Sequence, residues 1–163
     1  MTETVDTRYS CEIPADEPVI VVRRFFAAPR ELVWRAWTEP DLFRRWIGPR
    51  YLENTLVEMD VRVGGTYRFV QTAPDGGTHA FRGEYLEVDR PHRLVSTFVY
   101  EPMPDASAVD TLVLEEVDGG TLALITSRHA SIETRDGHVA AGMEGGMVEG
   151  FERLDEVLAA TGS

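Results

Sequence analysis

Short runs of alternating apolar and polar residues, separated by turn signals, fill the chain between residues 51 and about 130, and this pattern constrains the fold most. The turn signals are Gly64-Gly65, Pro74-Asp75-Gly76-Gly77, Asp89-Arg90-Pro91 and Asp118-Gly119-Gly120. Residues that share a face form five sets: Tyr67, Phe69 and Gln71; Phe81, Gly83 and Tyr85; Leu94, Ser96, Phe98 and Tyr100; Leu112 and Leu114; Leu122 and Leu124. Strands joined by short turns predict an antiparallel meander of about six strands.

The segment before the meander predicts a strand followed by two short helices. Val19–Phe26 is rich in β-branched and aromatic residues, which is typical of a strand. Pro29 indicates the start of a helix, and a second short helix runs from about Pro40 to Trp46. Residues 1–17 are polar and are expected to form a loose leader, which leaves 18–163 as one domain.

The last segment, from about Asp136 to Ala160, predicts one long amphipathic helix. Its apolar arc contains Val139, Met143, Met147, Gly150, Phe151, Leu154, Val157 and Leu158. The apolar stripe of this helix and one face of the sheet must bury each other. We therefore expect an α+β fold in which a curved antiparallel sheet wraps around the C-terminal helix.

The charge balance excludes several classes of function. The chain has 28 acidic and 16 basic residues, a net charge of −12, and all of its basic residues are arginine. This charge disfavours nucleic acid and anionic membrane as partners. Without lysine there is no Schiff-base nucleophile, and one cysteine cannot form an internal disulfide. We expect a cytoplasmic protein whose acids coat the exterior and leave the interior uncharged.

Catalytic motifs are absent from the sequence. There is no G-x-S-x-G, no G-x-G-x-x-G between a strand and a helix, and no histidine pair with metal-ligand spacing. The sequence therefore predicts no metal site and no cofactor. His79 and Tyr85 are the weak catalytic candidates, because both fall on the face of the sheet that carries Phe81.

Glycine and methionine in the C-terminal helix point to a cavity or to close packing. Each glycine in a helix costs about 1 kcal/mol relative to alanine, so a contact or a ligand should offset it. Methionine accommodates varied apolar shapes. The predicted ligand cavity is lined by Trp37, Tyr67, Phe69, Gln71, Phe81, Tyr85, Ser96, Phe98, Met143, Gly146, Met147, Gly150 and Phe151. In this interpretation Gly146→Leu or Gly150→Leu weakens ligand uptake more than folding; equal losses would indicate close packing.

Several motifs together resemble bacterial proteins related to the activator of the ninety-kilodalton heat-shock protein ATPase. They lie at Phe26–Pro40, Arg45–Pro49, Met59–Gly65, Pro74–Gly76, Gly142–Gly146 and Phe151–Asp155, and the similarity extends from about residue 10 to the C-terminus. One departure is Ile47, where many relatives have tryptophan. The resemblance implies the START-like (SRPBCC) superfamily and its helix-grip fold, in which a seven-stranded sheet holds the C-terminal helix with a cavity between them.

Three functions are expected. The leading one is a non-catalytic binder of an apolar or aromatic small molecule, because the predicted inner face is aromatic and the C-terminal helix carries glycine and methionine. The resemblance implies the same kind of function, since members of the superfamily bind lipids, polyketides, hormones or antibiotics. The first alternative is an enzyme, a polyketide cyclase or aromatase or a hydrolase-like protein. The second is a co-chaperone that stimulates a heat-shock ATPase. A homodimer is compatible with the sequence, which identifies no interface.

Overall fold

A computed structural model describes residues 9–161 and contains eight strands and four helices in that range. The elements in chain order are β1 (Tyr9–Glu12), β2 (Val19–Phe26), α1 (Arg30–Thr38), α2 (Pro40–Phe43), β3 (Glu53–Met59), β4 (Thr66–Thr72), β5 (Thr78–Asp89), β6 (Arg93–Tyr100), β7 (Ala108–Val117), β8 (Gly120–His129), α3 (Ile132–Ala140) and α4 (Met143–Thr161). The α+β class, the two short helices and the six-stranded meander after them are confirmed.

All eight strands form one antiparallel sheet in the order β1-β2-β8-β7-β6-β5-β4-β3. The meander runs from β3 to β8, and β2 then pairs with β8 along its whole length. The expectation of a loose leader is wrong at residues 9–12, which pair with β2 as an eighth strand beyond the expected seven. Residues 1–8 of that leader, and residues 162–163 of the predicted domain, lie outside the described residues.

Register places two rows of side chains side by side on the concave face of the sheet. Leu94, Leu112 and Ile125 form an apolar row across β6, β7 and β8. Ser96, Asp110 and Ser127 form a parallel polar row. Leu122 and Leu124 do share a face, but it is the convex one, because β8 turns Ala123 and Ile125 inward.

The helices α1 and α2 cover part of the concave face through an aromatic cluster. Trp46 is 2% exposed, and its indole Nε1 donates to the backbone oxygen of Ala36 at 2.9 Å. Its ring lies 4.7 Å from that of Trp37 and 5.4 Å from that of Phe43. Phe151 of α4 packs against the rings of Trp37 and Trp46, so the cluster joins α1, α2 and α4 in one core.

The predicted long C-terminal helix is confirmed as α4, but it starts at Met143 and not near Asp136, because a separate helix, α3, precedes it. Ser131 caps α3 by accepting a hydrogen bond from the backbone nitrogen of Thr134, so the first helix starts earlier than predicted. Gly142 has a φ of 89°, a left-handed conformation that glycine adopts without strain, and it separates α3 from α4. In the described part of the chain, none of the helices combines the length and apolar character needed to cross a bilayer.

One charged side chain is buried in the interior, contrary to the expected uncharged interior. Arg135 of α3 is 2% exposed. Its Nη1 atom donates to the backbone oxygens of Pro14, Glu17 and Val19 at 2.8, 2.9 and 2.9 Å, and its Nε donates to Asp136. These bonds hold the segment between β1 and β2 against α3.

Candidate ligand-binding cavity

A cavity of about 140 Å³ lies between the concave face of the sheet and the α1–α2 region. An engineered apolar cavity of about 150 Å³ holds benzene, so this volume matches one aromatic ring. Trp37, Phe43 and Ile47 contribute from the helical side. The sheet contributes Met59, Tyr67, Phe69, Tyr85, Leu94, Ser96, Phe98, Asp110, Leu112 and Ile125.

Six of the predicted cavity residues line this space and seven do not. The six are Trp37, Tyr67, Phe69, Tyr85, Ser96 and Phe98. Phe81 instead stacks between the rings of Phe69 and Phe98, at 4.9 and 5.4 Å. Phe151 is buried in the aromatic cluster of the helices, and Met143 and Met147 pack against the hydrophobic core. The cavity is therefore built from strands and the α1–α2 region, while α4 closes the core beside it.

Gln71 holds a backbone turn and does not line the cavity. Its side chain is buried, and its Nε2 lies 3.4 Å from the backbone oxygen of Ile47. Asn54 donates to the same oxygen at 3.0 Å and to that of Arg44 at 2.8 Å. These are the two side-chain amides of the sequence. Both stabilise the connection between α2 and β3, which carries Ile47 into the cavity wall.

The helix glycines favour the close-packing alternative. A Cβ at Gly150 would lie 3.1 Å from the backbone oxygen of Trp46 and 3.3 Å from the nitrogen of Gly48. A Cβ at Gly146 would lie 3.3 Å from Cδ of Pro49. Arg153, one turn further along α4, donates to the backbone oxygen of Gly48 at 3.1 Å. The small residues let α4 approach the backbone of residues 46–49.

We expect Gly150→Leu to lower the free energy of unfolding by about 2 to 3 kcal/mol, because the side chain must displace backbone. Gly145→Leu is the matched control, since a Cβ at Gly145 meets nothing within 4 Å. The control should leave stability unchanged or raise it slightly, because glycine is a poor helix former. Urea unfolding of both variants provides the measurement. Equal stability in the two variants would contradict close packing at Gly150.

The histidine candidate for catalysis lies away from the cavity. His79 Nδ1 lies 2.9 Å from the hydroxyl oxygen of Tyr100, and His79 is not among the lining residues. Tyr85 does line the cavity, and burial raises the pKa of its hydroxyl above the ordinary range. A tyrosine that stays protonated at neutral pH can donate a hydrogen bond but is a poor base. Of the two catalytic candidates, Tyr85 alone lines the cavity, and it lies there as a hydrogen-bond donor.

Two other histidines, His129 at the end of β8 and His138 on α3, form a partly buried pair. His129 Nε2 lies 3.0 Å from Nδ1 of His138, and the His138 ring stacks on Phe98 with centroids 6.0 Å apart. Burial lowers the pKa of both rings, and the neighbouring positive charge of Arg135 lowers that of His129 further. Within residues 9–161, no group of three or more His, Cys, Asp or Glu side chains is arranged to hold a metal ion.

Asp110 is the functional candidate that sequence reasoning missed. Its side chain lines the cavity, and the removal of water raises its pKa to about 6, although a hydrogen bond with Ser127 opposes the shift. The signal was present in the sequence, because Asp110 has the same alternation phase as Leu112 and Leu114. It is the second departure from the expected uncharged interior.

We expect Asp110→Asn to stabilise the protein at pH 7 by up to about 3 kcal/mol. The pKa of Asp110 is higher in the folded state than in the unfolded state. Its contribution to stability is therefore fully present below about pH 4 and is lost as the pH rises to about 6. The histidine pair has the opposite sign, because its lowered pKa values destabilise the fold as the pH falls below about 6.5. The difference between wild type and variant in urea unfolding at each pH isolates Asp110. A difference that does not change with pH would contradict the prediction.

One known protein family has a sequence model that covers most of the chain. The model of the family "Activator of Hsp90 ATPase homolog 1-like protein" matches residues 27–159. No curated protein sequence shows significant similarity to the chain.

Solved structures of several bacterial proteins share this fold. A protein from Rhodobacter sphaeroides is 32% identical, with a TM-score of 0.87 over 93% of this chain and 99% of its own. One from Nitrosomonas europaea is 28% identical, with a TM-score of 0.82 over 91% and 98%. An AHSA1-like protein from Aeromonas hydrophila is 25% identical, with a TM-score of 0.70 over 88% and 94%. The chain has the START-like helix-grip fold and belongs to the family of Activator of Hsp90 ATPase homolog 1-like proteins.

Proposed function

We propose that this protein binds a small apolar or aromatic molecule in the cavity and does not transform it. The observation that carries the proposal is the wall of the cavity, in which six of the thirteen lining residues are aromatic. Binding sites for small molecules are concave and mostly apolar, with few polar groups. The size of the cavity, about 140 Å³, suits a molecule of one ring.

Titration of the protein with toluene, followed by NMR, tests the proposal. We expect saturable shifts that centre on the cavity residues. Leu112→Phe and Ile125→Phe each add volume inside the cavity from a different strand, and both should weaken binding. Val109→Phe is the matched control, because Val109 lies on the same strand as Leu112 but is exposed. Thermal denaturation confirms that the variants fold. Absence of cavity shifts in the wild type, or equal binding by filled and control variants, would overturn the proposal.

The family description supports a second candidate function, which is stimulation of the ATPase of an Hsp90-type chaperone. The test compares the ATPase rate of a purified chaperone with and without an excess of this protein. An increase that saturates with concentration would support the candidate. An unchanged rate would remove it and would leave the ligand-binding proposal unaffected.

A further inference from the structure

Asp110 lies in the cavity without a positive charge beside it. The thirteen lining residues include no arginine and no histidine. Elsewhere on the concave side, Arg24 is paired with Asp155 at 2.7 Å, and Arg135 is bound to backbone oxygens and Asp136. Both of these arginines are thus bound to groups other than Asp110. Burial of a charge without a partner is costly. The site therefore favours a ligand that brings the positive partner of the Asp110 carboxylate.

The carboxylate retains acceptor capacity toward the cavity. In the register of the sheet, Asp110 is flanked by Ser96 on β6 and Ser127 on β8. The Ser127 hydroxyl donates to Asp110, whereas Ser96 hydrogen-bonds the hydroxyl of Tyr67. The Tyr67 hydroxyl itself donates to the backbone oxygen of Thr97 at 2.7 Å. A carboxylate offers about four acceptor positions, so one donor from Ser127 leaves room for a ligand donor.

Aromatic rings line the same cavity as the carboxylate. Trp37, Phe43, Tyr67, Phe69, Tyr85 and Phe98 all face the same cavity as Asp110. The faces of such rings carry partial negative charge and attract cations within about 6 Å. A carboxylate and an aromatic wall together favour a ligand that is positively charged at one end and apolar at the other.

We propose that the cavity binds a protonated amine carried on a body of about one aromatic ring, with Asp110 as its counter-charge and the surrounding rings as its cation-binding wall. This inference rests on the proposed ligand-binding function and specifies the class of its ligand. The ammonium donates to the free acceptor positions of Asp110, and the apolar body fills the rest of the cavity. The net charge of −12 also raises the local concentration of cations around the molecule.

Three probes of similar shape test the ligand class: benzylamine, benzyl alcohol and toluene. We expect the wild type to bind benzylamine about 10- to 100-fold more tightly than benzyl alcohol, the range for a hydrogen bond to a charged group. Asp110→Asn should remove this preference while retaining toluene binding. Glu115→Gln removes the same unit of charge from an exposed position on the same strand and should keep the preference. NMR titration gives the dissociation constants and shows that each variant is folded.

The outcomes distinguish failure of the amine inference from failure of the proposed ligand-binding function. If benzyl alcohol or toluene binds as tightly as benzylamine, or if Asp110→Asn keeps the preference, the amine inference is overturned and ligand binding stands. If the preference falls equally in Glu115→Gln, the attraction is a general effect of net charge, and Asp110 is not the counter-charge. If none of the probes binds, both proposals fail.

Discussion

Replacement of Arg135 by methionine is expected to lower the free energy of unfolding by about 3 to 5 kcal/mol. The buried guanidinium satisfies the backbone oxygens of Pro14, Glu17 and Val19, and methionine leaves all three without that donor. The Glu17 oxygen keeps the backbone nitrogen of Val19 as a donor at 2.8 Å, so the loss falls mainly on the oxygens of Pro14 and Val19, at about 1 to 3 kcal/mol each less what water recovers. Urea unfolding followed by tryptophan fluorescence measures the loss.

Two controls separate this network from a general effect of charge. Arg128→Met removes an exposed arginine that pairs with Glu17 at 3.3 Å, and its cost should be below about 1 kcal/mol. Arg135→Lys keeps the charge but cannot donate in the same planar geometry, so its stability should lie between those of wild type and Arg135→Met. Comparable losses for Arg128→Met and Arg135→Met would show that the buried contacts are not the source of the stability.

Trp46→Ala is expected to cost about 3 to 5 kcal/mol and to loosen the helical side of the cavity. Trp46 is almost fully buried, and its ring contacts Trp37 and Phe43, both of which line the cavity. Its removal also leaves the backbone oxygen of Ala36 without its donor. Urea unfolding measures the loss of stability, and toluene titration measures the change at the cavity.

The matched control is Tyr51→Ala, which truncates an aromatic side chain that is 64% exposed in the same connection. This change should leave stability within about 0.5 kcal/mol of wild type, because little contact is lost. If Trp46→Ala were equally mild, the aromatic cluster would not hold α1 and α2 in place.

The meander was predictable because its turns carry strong signals and its strands alternate clearly. β1 was not, because its four residues are too few to show a clear alternation, and its contacts outside β2, such as the hydrogen bond from the Tyr9 hydroxyl to Glu144 at 2.6 Å, join residues far apart in the sequence. The break between α3 and α4 was also missed. Gly142 and the glycines inside α4 are alike in the sequence, and only the backbone conformation distinguishes the one that ends a helix.

The site was predictable in part for a similar reason. Tyr67, Phe69 and Phe98 stand on strands whose phase is clear, and each of them lines the cavity. Phe81 has the same phase but stacks between Phe69 and Phe98, and the glycines of α4, which suggested a cavity, pack against residues 46–49. Asp110 was missed because a charged residue in a strand is normally assigned to the outer face. Whether an inward-facing residue borders a cavity depends on how side chains from several strands pack together. The sequence of a single strand does not contain that information.

The pairing of β2 with β8 has a consequence for how the chain reaches its native state. The meander from β3 to β8 forms by successive hairpins between neighbours in sequence, whereas Val19 must find Arg128 across more than a hundred intervening residues. Contacts of high sequence separation carry the largest loop-closure entropy and slow folding. The N-terminal hairpin should therefore dock last, after β8 offers a formed edge. Pulse-labelling hydrogen exchange should protect the amides of β6 and β7 before those of β2.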